Sequence, residues 1–224
     1  MSEKKKDILE KGAVIQADYQ TYAIVPHLPG GLCTPAILRN VADVAEKYKA
    51  AAIKLTGASR LAMVGIREED LDNVWADLTL SPGAAVGLCV RSIKFCPGIT
   101  FCRLGKQDAV GLGMKLDEKY HGVKTPSKLK IGISGCPNCC AESWLKDIGF
   151  IGTAKGWKIV VGGNAASKPM IAQVLAKDLS DDDALVLVEK VIERYKKHTK
   201  PQRLGKLISE IGLEEFKKEA GISS

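Results

Sequence analysis

Cysteines with ligand-like spacing are the residues of this chain best placed to do chemistry. They fall in two groups, Cys96-Pro-Gly-Ile-Thr-Phe-Cys102 and Cys136-Pro-Asn-Cys139-Cys140. Read as C-x5-C followed by C-x3-C, they can supply four thiolates to one inorganic centre, and thiolate is the usual protein ligand of iron–sulfur clusters. Cys136 and Cys139 also form a C-x2-C pair, a spacing that structural zinc sites use. Buried free thiols are the third reading. Glycine and proline beside both groups, in Cys96-Pro97-Gly98 and Gly135-Cys136-Pro137, make short turns that let a compact metal core approach the backbone. Seven cysteines, an odd number with two adjacent, make a poor disulfide framework. Ligand thiolates in a reducing, cytoplasmic compartment explain them better. Cys33 and Cys89 read as small buried hydrophobes. His27, His121 and His198 share no ligand spacing.

The second chemical signal is positive charge. A formal net charge of +7 raises the possibility of nucleic-acid binding, but its distribution argues otherwise. Much of the excess lies in Lys4–Lys6 and around Lys196, Lys197 and Lys200 at a helix end, where cations suit the macrodipole. Aromatics are only 5% of residues, too few for an aromatic-interleaved basic stripe. Positive charge concentrated inside a site and facing anionic ligands is the more specific reading. Lys128 and Lys130 alternate with Leu129, Ile131 and Ile133, a period-two pattern that points both lysines to one face. The plain alternative for such a pair is a solvated edge strand protected against aggregation.

The elements that position these groups follow from periodicity and punctuation. Tyr22 to His27 reads as a strand, and Thr34-Pro35 as a helix start with Thr34 as N-cap and Pro35 at the first helical position. Ile37, Leu38, Val41, Val44, Ala45 and Tyr48 then recur at helical spacing. Ala52–Leu55 and Leu61–Ile66 are strands around a turn at Thr56-Gly57-Ala58-Ser59, and Glu68 to Leu78 is a second helix. Ser81-Pro82-Gly83-Ala84 is the expected boundary between domains at 1–80 and 81–224. Beyond it, Lys128 to Ser134 and Trp157 to Val161 are strands. Ser180 caps a helix with Asp183 at the capping-box position, and two short helical stretches follow Pro201. The mixture predicts an α+β (mixed α/β) chain with sheets covered by helices. The opening Met-Ser-Glu-Lys-Lys-Lys has no apolar stretch behind its charges, and no apolar run approaches the roughly 20 residues of a membrane span. An unexported protein without membrane partners is expected.

Four blocks, in order, carry a resemblance. They are Lys54-Leu-Thr-Gly-Ala-Ser-Arg60, Val90-Arg91 through Cys96 and Cys102 to Asp108, Lys128 through Cys136 and Cys140 to Glu142, and Gly162-Gly163-Asn164. Together they resemble the siroheme-dependent nitrite and sulfite reductase family, over roughly residues 20 to 200. The resemblance implies a ferredoxin-like half-domain followed by a siroheme and 4Fe-4S cluster module. Cys96, Cys102, Cys136 and Cys140 would then ligate the cluster, with Cys140 bridging to the siroheme iron. Arg60, Arg91, Lys128 and Lys130 would be the catalytic cations that hold the oxyanion and help deliver protons, and Lys54, Thr56 and Asn164 would hold the macrocycle.

The implied activity is assimilatory-type, six-electron reduction of sulfite to sulfide, or of nitrite to ammonia. A non-catalytic electron-transfer or cofactor-handling subunit is the alternative. Cys139, where the family commonly has an ordinary residue, leaves the ligand assignment open. The chain holds one copy of a module that large family members contain twice, so a homodimer is expected to supply the missing half. It has no glycine-rich flavin or nicotinamide fingerprint, so its electrons should come from a separate donor such as a ferredoxin.

Overall fold

The computed structural model describes residues 4–222; Met1 to Glu3 of the lysine-rich opening stretch, and Ser223 and Ser224, lie outside the described residues. The chain divides into two compact units, residues 1–87 and 88–224.

The first unit contains β1 (Ala13–Ile15), β2 (Tyr22–Ile24), α1 (Pro35–Lys47), β3 (Ala52–Leu55), β4 (Leu61–Ile66) and α2 (Leu71–Leu78). Its strands form one antiparallel sheet in the order β1-β2-β4-β3. Helix α1 begins as its sequence dictates: Pro35 occupies the first turn and the Thr34 hydroxyl accepts the Ile37 N–H at 3.3 Å. Its Val41, Val44 and Ala45 pack with Leu71, Val74 and Leu78 of α2 against Tyr22, Ile24 and Met63 of the sheet. Each of the valine, leucine, isoleucine and methionine side chains among them contributes about 1.5–3 kcal/mol of burial.

Two readings are shortened here. The strand from Tyr22 stops at Ile24, because Pro26 has no N–H for the ladder and His27 donates to Ser81 O instead. The helix expected from Glu68 opens as a 3-10 turn, Glu68–Asp70, before α2. Strand β1, only three residues long, was too short to show a period.

The second unit carries a mixed five-stranded sheet in the order β5-β6-β7-β8-β9: β5 (Lys94–Phe95), β6 (Ile131–Ser134), β7 (Ile148–Thr153), β8 (Gly156–Val161) and β9 (Gln173–Leu179). Strands β5, β6 and β7 run parallel, and β8 and β9 return antiparallel. Helices α3 (Gly98–Phe101) and α4 (Ala109–Tyr120) lie between β5 and β6, and α5 (Asp181–Lys196), α6 (Leu204–Ile211) and α7 (Leu213–Glu219) close the chain. The main core packs Leu112 and Leu116 of α4 and Val188, Val191 and Ile192 of α5 on Ile131, Ile133, Ile148, Phe150 and Ile159. Trp157, fully buried, meets Phe150 edge-on at 5.9 Å and donates its indole N–H to Asp181 at 2.6 Å.

The strand expected from Lys128 begins only at Ile131, and its four residues are all buried, as a parallel strand covered on both faces requires. Lys128 and Lys130 are exposed around a buried Leu129, so the predicted alternation holds just ahead of the ladder. At Ser180 the hydroxyl both accepts the Asp183 N–H at 3.1 Å and donates to the Asp183 carboxylate at 2.6 Å. No helix among the described residues is long and apolar enough to cross a membrane.

Candidate functional site

Both cysteine groups follow the carboxyl ends of adjacent parallel strands. Cys96 follows β5 directly, and Cys136 follows β6 after Gly135. In open sheets this is the edge where ligands sit. Cys102 caps α3, donating its N–H to Gly98 O at 2.9 Å.

The two loops touch backbone to backbone. A Cβ on Gly135 would lie 2.7 Å from the Gly98 Cα, and one on Gly105 would lie 2.5 Å from the Gly98 carbonyl carbon. Gly98 itself has φ +54°, and a Cβ there would meet the Ala109 nitrogen at 2.6 Å. Only glycine satisfies both demands. Hydrogen bonds complete the junction: Gly135 O accepts the Lys106 and Gln107 N–H groups at 2.7 and 3.1 Å, and Gly135 N–H donates to Cys96 Sγ at 3.1 Å. That last bond ties the Cys96 side chain of the first loop to the backbone of the second.

The second loop is tied down from beneath. Ser134 and Ser143, both fully buried, share a 2.8 Å hydrogen bond; Ser134 Oγ accepts the Ala141 N–H, and Ser143 Oγ donates to Phe150 O at 2.7 Å. Cys139 adopts φ +53° and packs near Ile151, Val160 and Trp144 on the sheet face opposite the main core. Burial, with Cys136 and Cys140 nearby, pushes its thiol pKa up. Cys136 is buried, Cys96 and Cys102 are half-buried, and Cys140 is exposed.

An all-thiol donor set and a glycine cradle with no room for a Cβ fit a cluster held close to the backbone. Among the described residues no three His, Cys, Asp or Glu side chains converge tightly enough for a single metal ion. Thiolates that each hold a separate iron of one cluster need no such convergence. Of the two cysteines read as buried hydrophobes, Cys89 is buried, whereas Cys33 is half-buried in a cavity wall.

Arg91 and the two lysines come together across a strand-like pairing. Val90 bridges Leu129 in parallel, and the Arg91 N–H donates to Leu129 O at 2.9 Å. Burial lowers the Arg91 guanidinium pKa, with Arg203 adding repulsion. Lys130 is lowered by burial first, then by Arg203, Lys146 and Lys128, with Asp147 pulling the other way.

Arg203 and Lys146 carry no motif that would have singled them out. Arg203 grips the fully buried Asp147 with two bonds, Nε to Oδ1 at 2.9 Å and a terminal nitrogen to Oδ2 at 2.6 Å. Asp147 Oδ2 also accepts the Lys130 N–H at 2.8 Å, so one carboxylate orients the backbone of a candidate lysine. Lys146 pairs with Glu142 at 2.7 Å, and Lys94 reaches the same carboxylate at 3.1 Å. The available signal was Lys146-Asp147 standing directly before the apolar run Ile148–Ile151. Asn164 exchanges backbone hydrogen bonds with Met170 and lines a cavity of about 460 Å³ with Lys168, Gln202, Arg203 and Lys206.

The remaining candidates belong to the first unit. Thr56 and Arg60 close the β3–β4 turn, Thr56 Oγ1 accepting the Arg60 N–H at 3.2 Å. Both line a cavity of about 360 Å³ with Leu28, Gly31, Cys33 and Leu55. Lys54 lies exposed on β3.

Fold and site define a two-unit α+β protein whose second unit brings two cysteine loops into backbone contact and carries several half-buried cations. The chain belongs to the nitrite and sulphite reductase family: residues 86–223 match its 4Fe-4S domain, and residues 14–81 match the nitrite/sulfite reductase ferredoxin-like half domain. It is therefore an oxidoreductase by family, and the expected α+β class with a ferredoxin-like half-domain is borne out. Among its relatives is an assimilatory-type sulfite reductase of Nitratidesulfovibrio vulgaris, 46% identical over 205 residues that span 91% of this chain and 94% of the relative. An NAD(P)H nitrite reductase of Bacillus subtilis is 39% identical over 184 residues, 82% of this chain but 23% of that longer protein. Among solved structures, dissimilatory sulfite reductase I shares the fold with a TM-score of 0.81 at 15% identity, covering 91% of this chain and 70% of that one. The NirA protein of Mycobacterium tuberculosis does so with a TM-score of 0.78 at 19% identity, covering 89% and 39%.

Proposed function

We propose that the chain reduces sulfite to sulfide by six electrons, using a siroheme joined through Cys140 to a 4Fe-4S cluster held by Cys96, Cys102, Cys136 and Cys140. The balanced conversion takes hydrogen sulfite, six electrons and six protons to hydrosulfide and three waters. The observation that carries the reading is the second unit itself, where two cysteine loops at the carboxyl ends of β5 and β6 are locked together by glycine contacts, and Arg91, Lys128 and Lys130 stand ahead of the amino ends of the same two strands. The identity to an assimilatory-type sulfite reductase over 94% of that relative supports it.

When bound, the two cofactors would relay the donor's electrons and supply the iron chemistry at the substrate; the protein supplies position, charge and protons. Fixed guanidinium and ammonium groups hold a small oxyanion and offset the negative charge that builds as it is reduced. Lys130, its pKa lowered by burial and by its cationic neighbours, gives up a proton more readily than an ordinary lysine. Asp147 keeps the Lys130 backbone in place while it does so. Family resemblance assigns Arg60 to the anion, and Lys54, Thr56 and Asn164 to the macrocycle carboxylates and rim. A ferredoxin-type carrier is the electron source.

Nitrite reduction to ammonia is the second reading, favoured by the 39% identity to a nitrite reductase over 82% of the chain. Anaerobically purified protein, assayed with reduced methyl viologen and either anion, decides between them. Sulfide formation at the higher kcat/KM supports the proposal, and ammonia at the higher value supports the alternative. Turnover of neither anion by protein carrying both cofactors overturns the enzymatic reading and leaves an electron-transfer module.

A further inference from the structure

The segment between the first two cysteines is apolar where it meets solvent. Ile99 is 56% exposed, Phe101 70% and Leu104 48%, on and just after the four-residue α3 that Cys96 and Cys102 bracket. Water-facing aliphatic and aromatic side chains grouped within six residues mark an interaction surface rather than a core. This group is also held rigidly: Gly105 packs on Gly98, Cys102 N–H closes on Gly98 O, and Gly105 N–H closes on Cys102 O at 2.9 Å. A preorganised patch loses little freedom when a partner covers it.

Its charge names the partner. Arg103 and Lys106 are exposed within the same stretch. The one acidic side chain between residues 97 and 108 is Asp108, and it is turned inward as the cap of α4, accepting the Gly111 N–H at 2.9 Å and the Thr100 hydroxyl at 3.0 Å. The patch therefore presents apolar side chains with cations only. A second copy of the chain docking here about a twofold axis would bring Arg103 and Lys106 against themselves, which like-charge repulsion disfavours.

We propose that Ile99, Phe101 and Leu104, with Arg103 and Lys106, form the docking surface for a small acidic electron-carrier protein of the ferredoxin type. The proposal rests on the reductase reading and identifies where its electrons enter. Each encounter oxidises the carrier's centre by one electron and reduces the centre held by Cys96 and Cys102 by one, without atom transfer, so six encounters serve one sulfite. The cations steer the acidic carrier and the apolar trio holds it, giving fast, salt-sensitive and short-lived association.

The test uses the cofactor-loaded protein and an acidic plant-type ferredoxin as probe. Arg103→Glu/Lys106→Glu and Ile99→Ser/Phe101→Ser are each measured for ferredoxin Kd by calorimetry, and for turnover with ferredoxin and with reduced methyl viologen. Supporting results are a Kd and a ferredoxin KM raised at least tenfold in each double variant, with viologen turnover and the visible spectrum unchanged. In the charge variant the salt dependence of Kd should also flatten. Wild-type Kd in both variants overturns the proposal, as does a change in sedimentation showing that the patch joins two copies of the chain. Loss of viologen turnover in the wild-type protein would instead remove the reductase reading, while the Kd comparison would still decide the docking surface.

Discussion

Arg203→Met removes one half of the buried ion pair with Asp147 in the second unit. Asp147 is fully buried, Arg203 is 16% exposed, and the carboxylate receives two bonds from the guanidinium and one from the Lys130 N–H. Taking away the cation leaves a buried carboxylate with one backbone donor, a change that costs about 3–5 kcal/mol. With a urea m-value of about 2 kcal/mol per molar, the unfolding midpoint falls by roughly 2 M.

The pH dependence follows from the same groups. Burial pushes the Asp147 carboxyl pKa up, and Arg203 is the main group opposing that push. Without Arg203 the folded-state pKa rises further above the unfolded value. A carboxyl raised in the fold loses stability as pH climbs from its unfolded pKa to its folded one. The gap between variant and wild type should therefore be wider at pH 8 than at pH 5. The double variant Asp147→Leu/Arg203→Met should recover most of the loss, short of about 1 kcal/mol for the orphaned Lys130 N–H. Urea unfolding followed by tryptophan fluorescence at the two pH values checks all three statements. A loss under about 1 kcal/mol, or a gap that narrows at pH 8, would refute the reasoning.

The glycine contacts predict that Gly98→Ala costs about 1–3 kcal/mol and lowers bound iron, since a Cβ there meets the Ala109 nitrogen at 2.6 Å; wild-type iron content and Tm would count against it. Cys140→Ser should lose the coupled visible spectrum, whereas Cys139→Ala, acting on a thiol packed beside Ile151 and Val160, should keep it; the reverse result would reassign the ligand. Lys130→Arg should move the alkaline limb of the turnover profile to higher pH, because a guanidinium holds its proton where a lowered lysine does not; an unmoved limb would exclude Lys130 as the titrating group. Lys130→Ala should reduce kcat at least tenfold, with sulfide production as the readout.

What could be read from the residues depended on how local the cause was. Thr34-Pro35 and Ser180 fixed two helix starts because a cap is a contact within four residues. The exposed lysines around buried Leu129 were legible for the same reason. The Asp147–Arg203 pair was not, because its partners stand 56 residues apart and nothing beside either one points to the other. Strand β6 was read too long, since a parallel strand shows its extent through its neighbours β5 and β7 rather than through its own alternation. The glycines beside the cysteines read as turn formers; that Gly98 and Gly135 press on each other is a tertiary fact that became visible only when β5 and β6 were paired.

That contact also acts as a gauge. Cys96 and Cys136 leave neighbouring strands whose separation, about 4.8 Å, is set by ladder hydrogen bonds, and at Gly98 and Gly135 the backbones are already as close as atoms allow. The closest approach of the two loops is thus a property of the main chain. A core bound between the cysteines could not draw the two loops closer at this point, so their nearest approach is written into the backbone before any thiol binds.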